Sequence, residues 1–267
     1  MEKSDLQKKS FASLKFFFAE NMVLSLEDKE KLLEETNSIL EYFHDLNRLI
    51  NDKKIAFVAH CMNYLDGPFG STLGRLYDVS IPWNLSRLKD DLRIFQPPLD
   101  NISDFQYIIV LAHQMTSSGS NIEKIFTIAH ELQHLSQHIF NKETILKCIV
   151  LHRYFYQAND LRYVFSLPHD LDAIRMAKWI NYQKNKQQDV DSFTDGRIRI
   201  ASSNNEEKYW LLLKSIDPFT TYKFCDETES MWKEYEHKII KACVEDSYVQ
   251  EAYKFLLSAT ELVKTAT

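Results

Sequence analysis

Two histidines four residues apart, with a glutamate beside the first, are the side chains of this sequence best placed to do chemistry: His130-Glu131-Leu132-Gln133-His134. Residues i and i+4 of an α-helix project from one face. Two imidazoles so placed can ligate one Zn2+ at about 2.0–2.1 Å. Glu131 then sits beside the metal without binding it. Its carboxylate can take a proton from a water whose pKa zinc lowers to about 7, readying that water to attack a peptide carbonyl. The pattern therefore predicts a zinc-dependent peptidase, with His130 and His134 as ligands and Glu131 as general base. The bland alternative is a helix whose histidines are exposed or satisfied within the core.

Two histidines and a water leave a tetrahedral site short of one protein ligand. His138 lies a turn further along, but ligands at i, i+4 and i+8 diverge from one point, because the last is about 12 Å of rise from the first. A metzincin pattern needs Gly at 137 and His at 140, where this chain has Gln137 and Phe140. The better candidates follow Pro168. Asp170 shares a helix face with Ala173, Ile174 and Ala177, and an acid on a small, apolar face needs a charge partner such as zinc. Asp172 and His169 rank second and third. Asp172 can instead pair with Arg175, and Asp170 can simply favour a helix N-terminus.

The elements that must position these groups follow from pattern. Scarce glycine (5) and proline (6) favour helix. Ser25, with Asp28 three residues on, predicts the start of a helix running by apolar spacing to Asn51. Ile55 to Ala59 and Tyr107 to Ala112 read as buried strands. Gly67, Gly70 and Gly74 fall within 63–98, a stretch of expected strands and loops. Met115 to Gly119 reads as a loop, and Ser120 with Glu123 caps the helix that carries the histidines. Further helices are expected over 141–156, from Pro168 (capped by Ser166) to about Tyr182, and in pieces from Glu206 onward. Lys184 to Ser203 reads as a polar loop or hairpin, with Arg197 to Ile200 a weak strand. The expected fold class is α+β: a small mixed sheet packed on the active-site helix, helix-rich overall. The expected organisation is an N-terminal helical region (1–53), a catalytic core (54–183) and a mainly helical C-terminal region (184–267).

Composition narrows the function classes. The chain has 267 residues, with 45% apolar and 26% charged, ordinary for a globular protein. A net charge of -6 argues against a direct nucleic-acid binder. Lys8-Lys9 and Lys184 to Lys186 read as solvated faces. Cys61, Cys148, Cys225 and Cys243 are widely spaced and read as reduced thiols. No apolar run approaches a membrane span, and the polar start carries no secretory signal. The expected location is the cytoplasm, without membrane attachment.

Ile108-Ile-Val-Leu111, a polar loop to Ser120, then Phe126-Thr-Ile-Ala-His-Glu-Leu-Gln-His134 and His138 resemble the ImmA/IrrE family of zinc peptidases. That family shows a strand, a loop and an FTLAHELGHxxxH-like helix, then a Glu ligand opening an ExEAxxFA-like helix. Asp170-Leu-Asp-Ala-Ile-Arg-Met-Ala177 lies on the second pattern, with Asp170 at the ligand position. The likeness covers about 105–180. Gln133 stands where the family has Gly, and Asp170 is one methylene shorter than Glu. The resemblance implies a gluzincin-like zincin fold, Zn2+, and a protein or peptide substrate, often a helix-turn-helix repressor. The departures motivate an alternative, a zincin-fold binding or sensor protein with little turnover. A deformylase, which takes a cysteine ligand from a Gly-Cys-Leu-like strand, is disfavoured because Cys61 lies in Ala59-His-Cys-Met.

Overall fold

A computed structural model describes residues 15–19, 24–52, 54–62, 65–67, 70–80, 82–92, 104–117, 119–157, 167–201, 204–217 and 226–265. It has an α+β, helix-rich fold with one small mixed sheet. The chain forms two compact units, residues 1–135 and 136–267. Their border falls within a single continuous helix.

The first unit is built on the sheet. Strands β1 (Lys15–Phe18), β2 (Ile55–Ala59), β5 (Gly74–Asp78) and β6 (Tyr107–Leu111) lie in the order β1-β2-β6-β5. The first three positions run parallel, and β5 is antiparallel to β6. Every residue of β2 and β6 is buried. That is why these segments read as unbroken apolar runs rather than alternating ones. On one face Ala56, Val58, Ile108, Val110 and Tyr77 pack with Leu88 and Leu92, at the end of helix α3 (Pro82–Asp91). A separate hairpin pairs β3 (Leu65–Gly67) with β4 (Gly70–Thr72). The expected mixture over 63–98 thus includes a helix as well as strands.

Helix α1 (Leu26–Leu40) starts as expected: Ser25 accepts from the Asp28 N–H at 3.1 Å. It does not run on to Asn51. After Leu40 the chain tightens through a turn and a 3-10 segment (His44–Leu46) before the short α2 (Asn47–Asn51). Leu40, Phe43 and Leu46 are all buried. Their strict spacing of three suits a three-residue turn as well as an α-helix, so the apolar pattern survives the break. Met115 to Gly119 also differs from expectation, because α4 spans His113–Ser117. Ser120 then accepts from the Glu123 N–H at 3.1 Å and opens α5 (Asn121–Phe140), the helix that crosses the border.

The second unit is helical. It comprises α6 (Lys142–Gln157), α7 (Pro168–Lys184), α8 (Gln187–Ile200), α9 (Asn204–Ser215), α10 (Asp226–Ala242) and α11 (Ser247–Thr265). Its core joins Cys148, Leu151 and Phe155 of α6 to Trp232, Tyr235 and Ile239 of α10 and Val249, Ala252 and Leu256 of α11. The expected weak strand at Arg197 to Ile200 is the end of α8. Val190, Phe193, Thr194 and Arg197 form its inward stripe, with Phe193 and Arg197 set against Trp210 of α9. Helix α7 begins after Leu167, which makes no side-chain cap bond. Ser166 and Cys225 lie outside the described residues. Among the described residues no helix is long and apolar enough to cross a membrane.

Two buried polar groups test this architecture. Lys178 of α7 is only 4% exposed, and its Nζ donates to the carbonyls of Leu213 (2.9 Å), Lys214 (3.1 Å) and Ile216 (2.6 Å). It therefore satisfies carbonyls at the C-terminal end of α9 and just beyond it, where helical N–H partners run out. Lys178→Met is expected to lower stability by about 2 kcal/mol, read by chemical denaturation, because those acceptors lose a charged donor.

His60, directly after β2, is fully buried. Its Nδ1 accepts from the Met62 N–H (2.9 Å), so Nε2 carries the proton donated to the Asp91 carbonyl (2.8 Å). Burial holds its pKa below the usual imidazole value, against smaller opposing effects of the Asp91 carbonyl and carboxylate. The unfolded chain protonates near pH 6.5, the folded chain only at lower pH. Between those values the unfolded state binds more protons. Stability is therefore full above about pH 6.5 and declines as the pH falls below it, by at most about 1.4 kcal/mol per pH unit. Urea midpoints measured from pH 7.5 to 5 should fall less steeply for His60→Gln than for the parent chain.

Candidate metal centre

Helix α5 is buried nearly all round. Ile125, Phe126, Ile128, Ala129, Leu132 and Leu135 are buried, and so are the polar Thr127, Glu131, Gln133, Ser136 and Gln137. His130, His134 and His138 are partly exposed along its C-terminal half, as is Ile139, and Phe140 at its end is exposed. Glu131, beside His130, is buried, at 7% exposed.

The helical repeat brings the two imidazoles together. The Nε2 atoms of His130 and His134 lie 3.0 Å apart, with the rings at 86°. Phe126, one turn earlier, stacks on His130 with 6.2 Å between centroids. Two nitrogens bound to one tetrahedral zinc at about 2.0–2.1 Å would be about 3.3 Å apart. The observed pair is within a few tenths of an ångström of that separation. The third member of the group is Asp170, in the first turn of α7. His130, His134 and Asp170 can each offer one ligand atom, all within 4.8 Å of one another. Among the described residues this is the one group of three or more such side chains placed to hold a metal ion. Two imidazoles and a carboxylate are a donor set that suits zinc.

The other two candidates are near but engaged differently. His169 is buried, with Nε2 3.7 Å from Asp170 Oδ2 and its ring edge-on to His152. Asp172 is fully buried, and its Oδ2 accepts from Gln137 Nε2 at 2.6 Å. Cys61, the deformylase-type candidate, has its thiol 3.9 Å from His60 Nδ1.

Glu131 owes its position to a glycine the sequence reading did not single out. A Cβ on Gly74, the first residue of β5, would meet Thr127 Cγ2 at 2.8 Å and Glu131 Cγ at 2.9 Å. The edge strand thus presses directly on the α5 face that carries the proposed base. A glycine at the start of an edge strand is the sequence sign of such a close approach. Three glycines within 67–74 (Gly67, Gly70, Gly74) blurred it. No protein-family model, curated protein or solved structure matches this chain.

Gly74→Ala must push Thr127 and Glu131 aside. It is expected to cost about 1–3 kcal/mol of stability by overpacking, measurable as a lowered denaturation midpoint. Thr127→Ala in the same chain removes one of the two clashing atoms and should recover part of the loss.

Proposed function

We propose that this chain is a zinc metalloendopeptidase with a zincin-like fold, selective for a protein partner and acting in the cytoplasm. In this reading His130, His134 and Asp170 hold the metal and Glu131 is the general base. One observation carries it: the two imidazole nitrogens of an HExxH helix face each other near zinc-ligand separation, with a carboxylate in the same group. The resemblance of 105–180 to ImmA/IrrE peptidases supports the same assignment. It also suggests the substrate class, a helix-turn-helix repressor cut at one site.

When bound, zinc would supply Lewis acidity, polarising the scissile carbonyl and acidifying a water. The chain's own residues supply the rest. Glu131, one residue from His130, accepts the proton of the attacking water and returns it to the leaving amine. Its packing against Gly74 limits where that carboxylate can go. Phe126, stacked on His130, limits rotation of the first ligand ring.

A second reading, a metal-binding sensor of the same fold with little turnover, has one specific observation in its favour. Gln133 is fully buried where the resembling family has Gly, so the packing beneath the helix differs from that of active members.

The test uses the purified chain. Metal analysis should find one zinc per chain, and a broad peptide library should find cleavage. Glu131→Gln should retain zinc and lose about 10²–10⁴-fold in cleavage rate, the usual worth of a positioned general base. A parent chain that binds no zinc from metal-replete buffer, or a Glu131→Gln variant that cuts at the parent rate, overturns the proposal. Stoichiometric zinc with no cleavage of any peptide selects the sensor.

A further inference from the structure

Asp170 is a short ligand. A carboxylate on one methylene reaches about 1.5 Å less far than one on two, so the first turn of α7 must be held close and in register. One side chain grips that turn on both sides of Asp170. Gln137 of α5 is 1% exposed. Its Nε2 donates to the carbonyl of His169, the residue before Asp170, at 2.9 Å, and to Oδ2 of Asp172, two residues after it, at 2.6 Å. Both partners are acceptors, so the group facing them must be the NH2 and not the amide oxygen. Its two hydrogens serve the two acceptors.

The placement of Gln137 on α5 is equally specific. It lies three residues after His134, about 4.5 Å further along the axis and within about 60° of the same stripe. Seven residues separate it from His130, which returns it to nearly the same direction. The stripe that carries both imidazoles therefore also carries the residue that fixes the helix bearing the carboxylate. A shift of α7 by one residue along α5 would break both hydrogen bonds.

We infer that Gln137 is the positioning residue of the metal centre: by clamping the His169 carbonyl and the Asp172 carboxylate, it sets the register that lets a ligand as short as Asp170 reach the ion. This rests on the zinc reading above and adds to it a residue that touches neither metal nor substrate.

The experiment reads zinc affinity by competition with a chelating indicator, and ligand geometry from the visible spectrum of the Co2+-substituted protein. Both are independent of any peptidase activity. Gln137→Leu should weaken zinc binding about 10–100-fold, the usual effect of removing a group that orients a metal ligand. It should also change the cobalt bands, because the carboxylate no longer arrives in place. Asp172→Asn keeps an acceptor oxygen and should show a smaller loss of the same kind. This variant carries the test if Gln137→Leu does not fold. The discriminating variant is Gln137→Leu with Asp170→Glu. If register is the issue, the longer arm recovers much of the lost affinity and restores the parent-like cobalt bands. Alone, Asp170→Glu should gain nothing.

Parent-level zinc affinity and cobalt spectrum in both Gln137→Leu and Asp172→Asn would overturn the inference while leaving the zinc reading intact. So would a loss that Asp170→Glu does not recover, since that marks general destabilisation. A parent chain that binds neither zinc nor cobalt fails the underlying reading instead, and the inference falls with it.

Discussion

Two imidazole nitrogens 3.0 Å apart on a helix packed on nearly every side are the constraint around which the rest is arranged. Such a pair has two ways to be satisfied. One ring can carry its proton on Nε2 and donate to the other, or both can present lone pairs to a shared cation. The first needs only the helix. The second needs a third donor and a nearby acid to do anything useful. Asp170 and Glu131 are those two groups, and each is held by a packing device of its own. The coincidence of both devices at one pair of histidines is what favours the cation.

For Glu131 the device is steric. Glycine at position 74 lets β5 approach α5 so closely that a methyl group would not fit. The approach is in turn possible because β5 is hydrogen-bonded to β6, from Gly74↔Leu111 to Asp78↔Tyr107. Strand β6 is clamped between β2 and β5 with both of its faces covered. The rigidity of an all-apolar central strand is thereby transmitted to the strand that packs on this carboxylate. This is how a buried scaffold supports a functional side chain.

The legible parts of the chain were those where one periodicity had one explanation. Tyr107 to Leu111 admits little besides a buried strand, and Ser120 with Glu123 marks a helix start whatever follows. The HExxH spacing names its own geometry, since residues four apart on a helix must be neighbours. Illegible parts were those where a pattern served two structures. Leu40, Phe43 and Leu46 fit a continued helix and a 3-10 turn alike. In α8 only Val190, Phe193, Thr194 and Arg197 mark the inward stripe, too little apolar character to outweigh Gly196. A Cβ at that glycine would meet nothing within 4 Å, so its cost is merely the about 1 kcal/mol of glycine within a helix. Gln137 and Asp172 were illegible for another reason. They are 35 residues apart in sequence, and no local rule pairs an amide on one helix with a carboxylate on another.

Why should a buried amide and a buried carboxylate hold this register when apolar side chains would pack there at no desolvation cost? Stability does not explain it. A hydrogen bond in the interior returns little net free energy after the loss of water, and apolar replacement of both partners is often neutral. The difference lies in directionality. Leucines facing one another tolerate a slide of an ångström or more with small loss, because dispersion is shallow and non-directional. Two N–H bonds from one planar amide weaken steeply once the angle or distance departs from the optimum. A pair of such bonds, one to a backbone carbonyl and one to a side chain, fixes both translation along α5 and rotation about α7. Apolar packing alone, of the kind small buried residues such as Ala173 and Ala177 of α7 allow, can bring helices close but cannot choose the register at which they meet. On that argument the polar clamp sets register rather than strength, which is what a ligand with a single methylene requires.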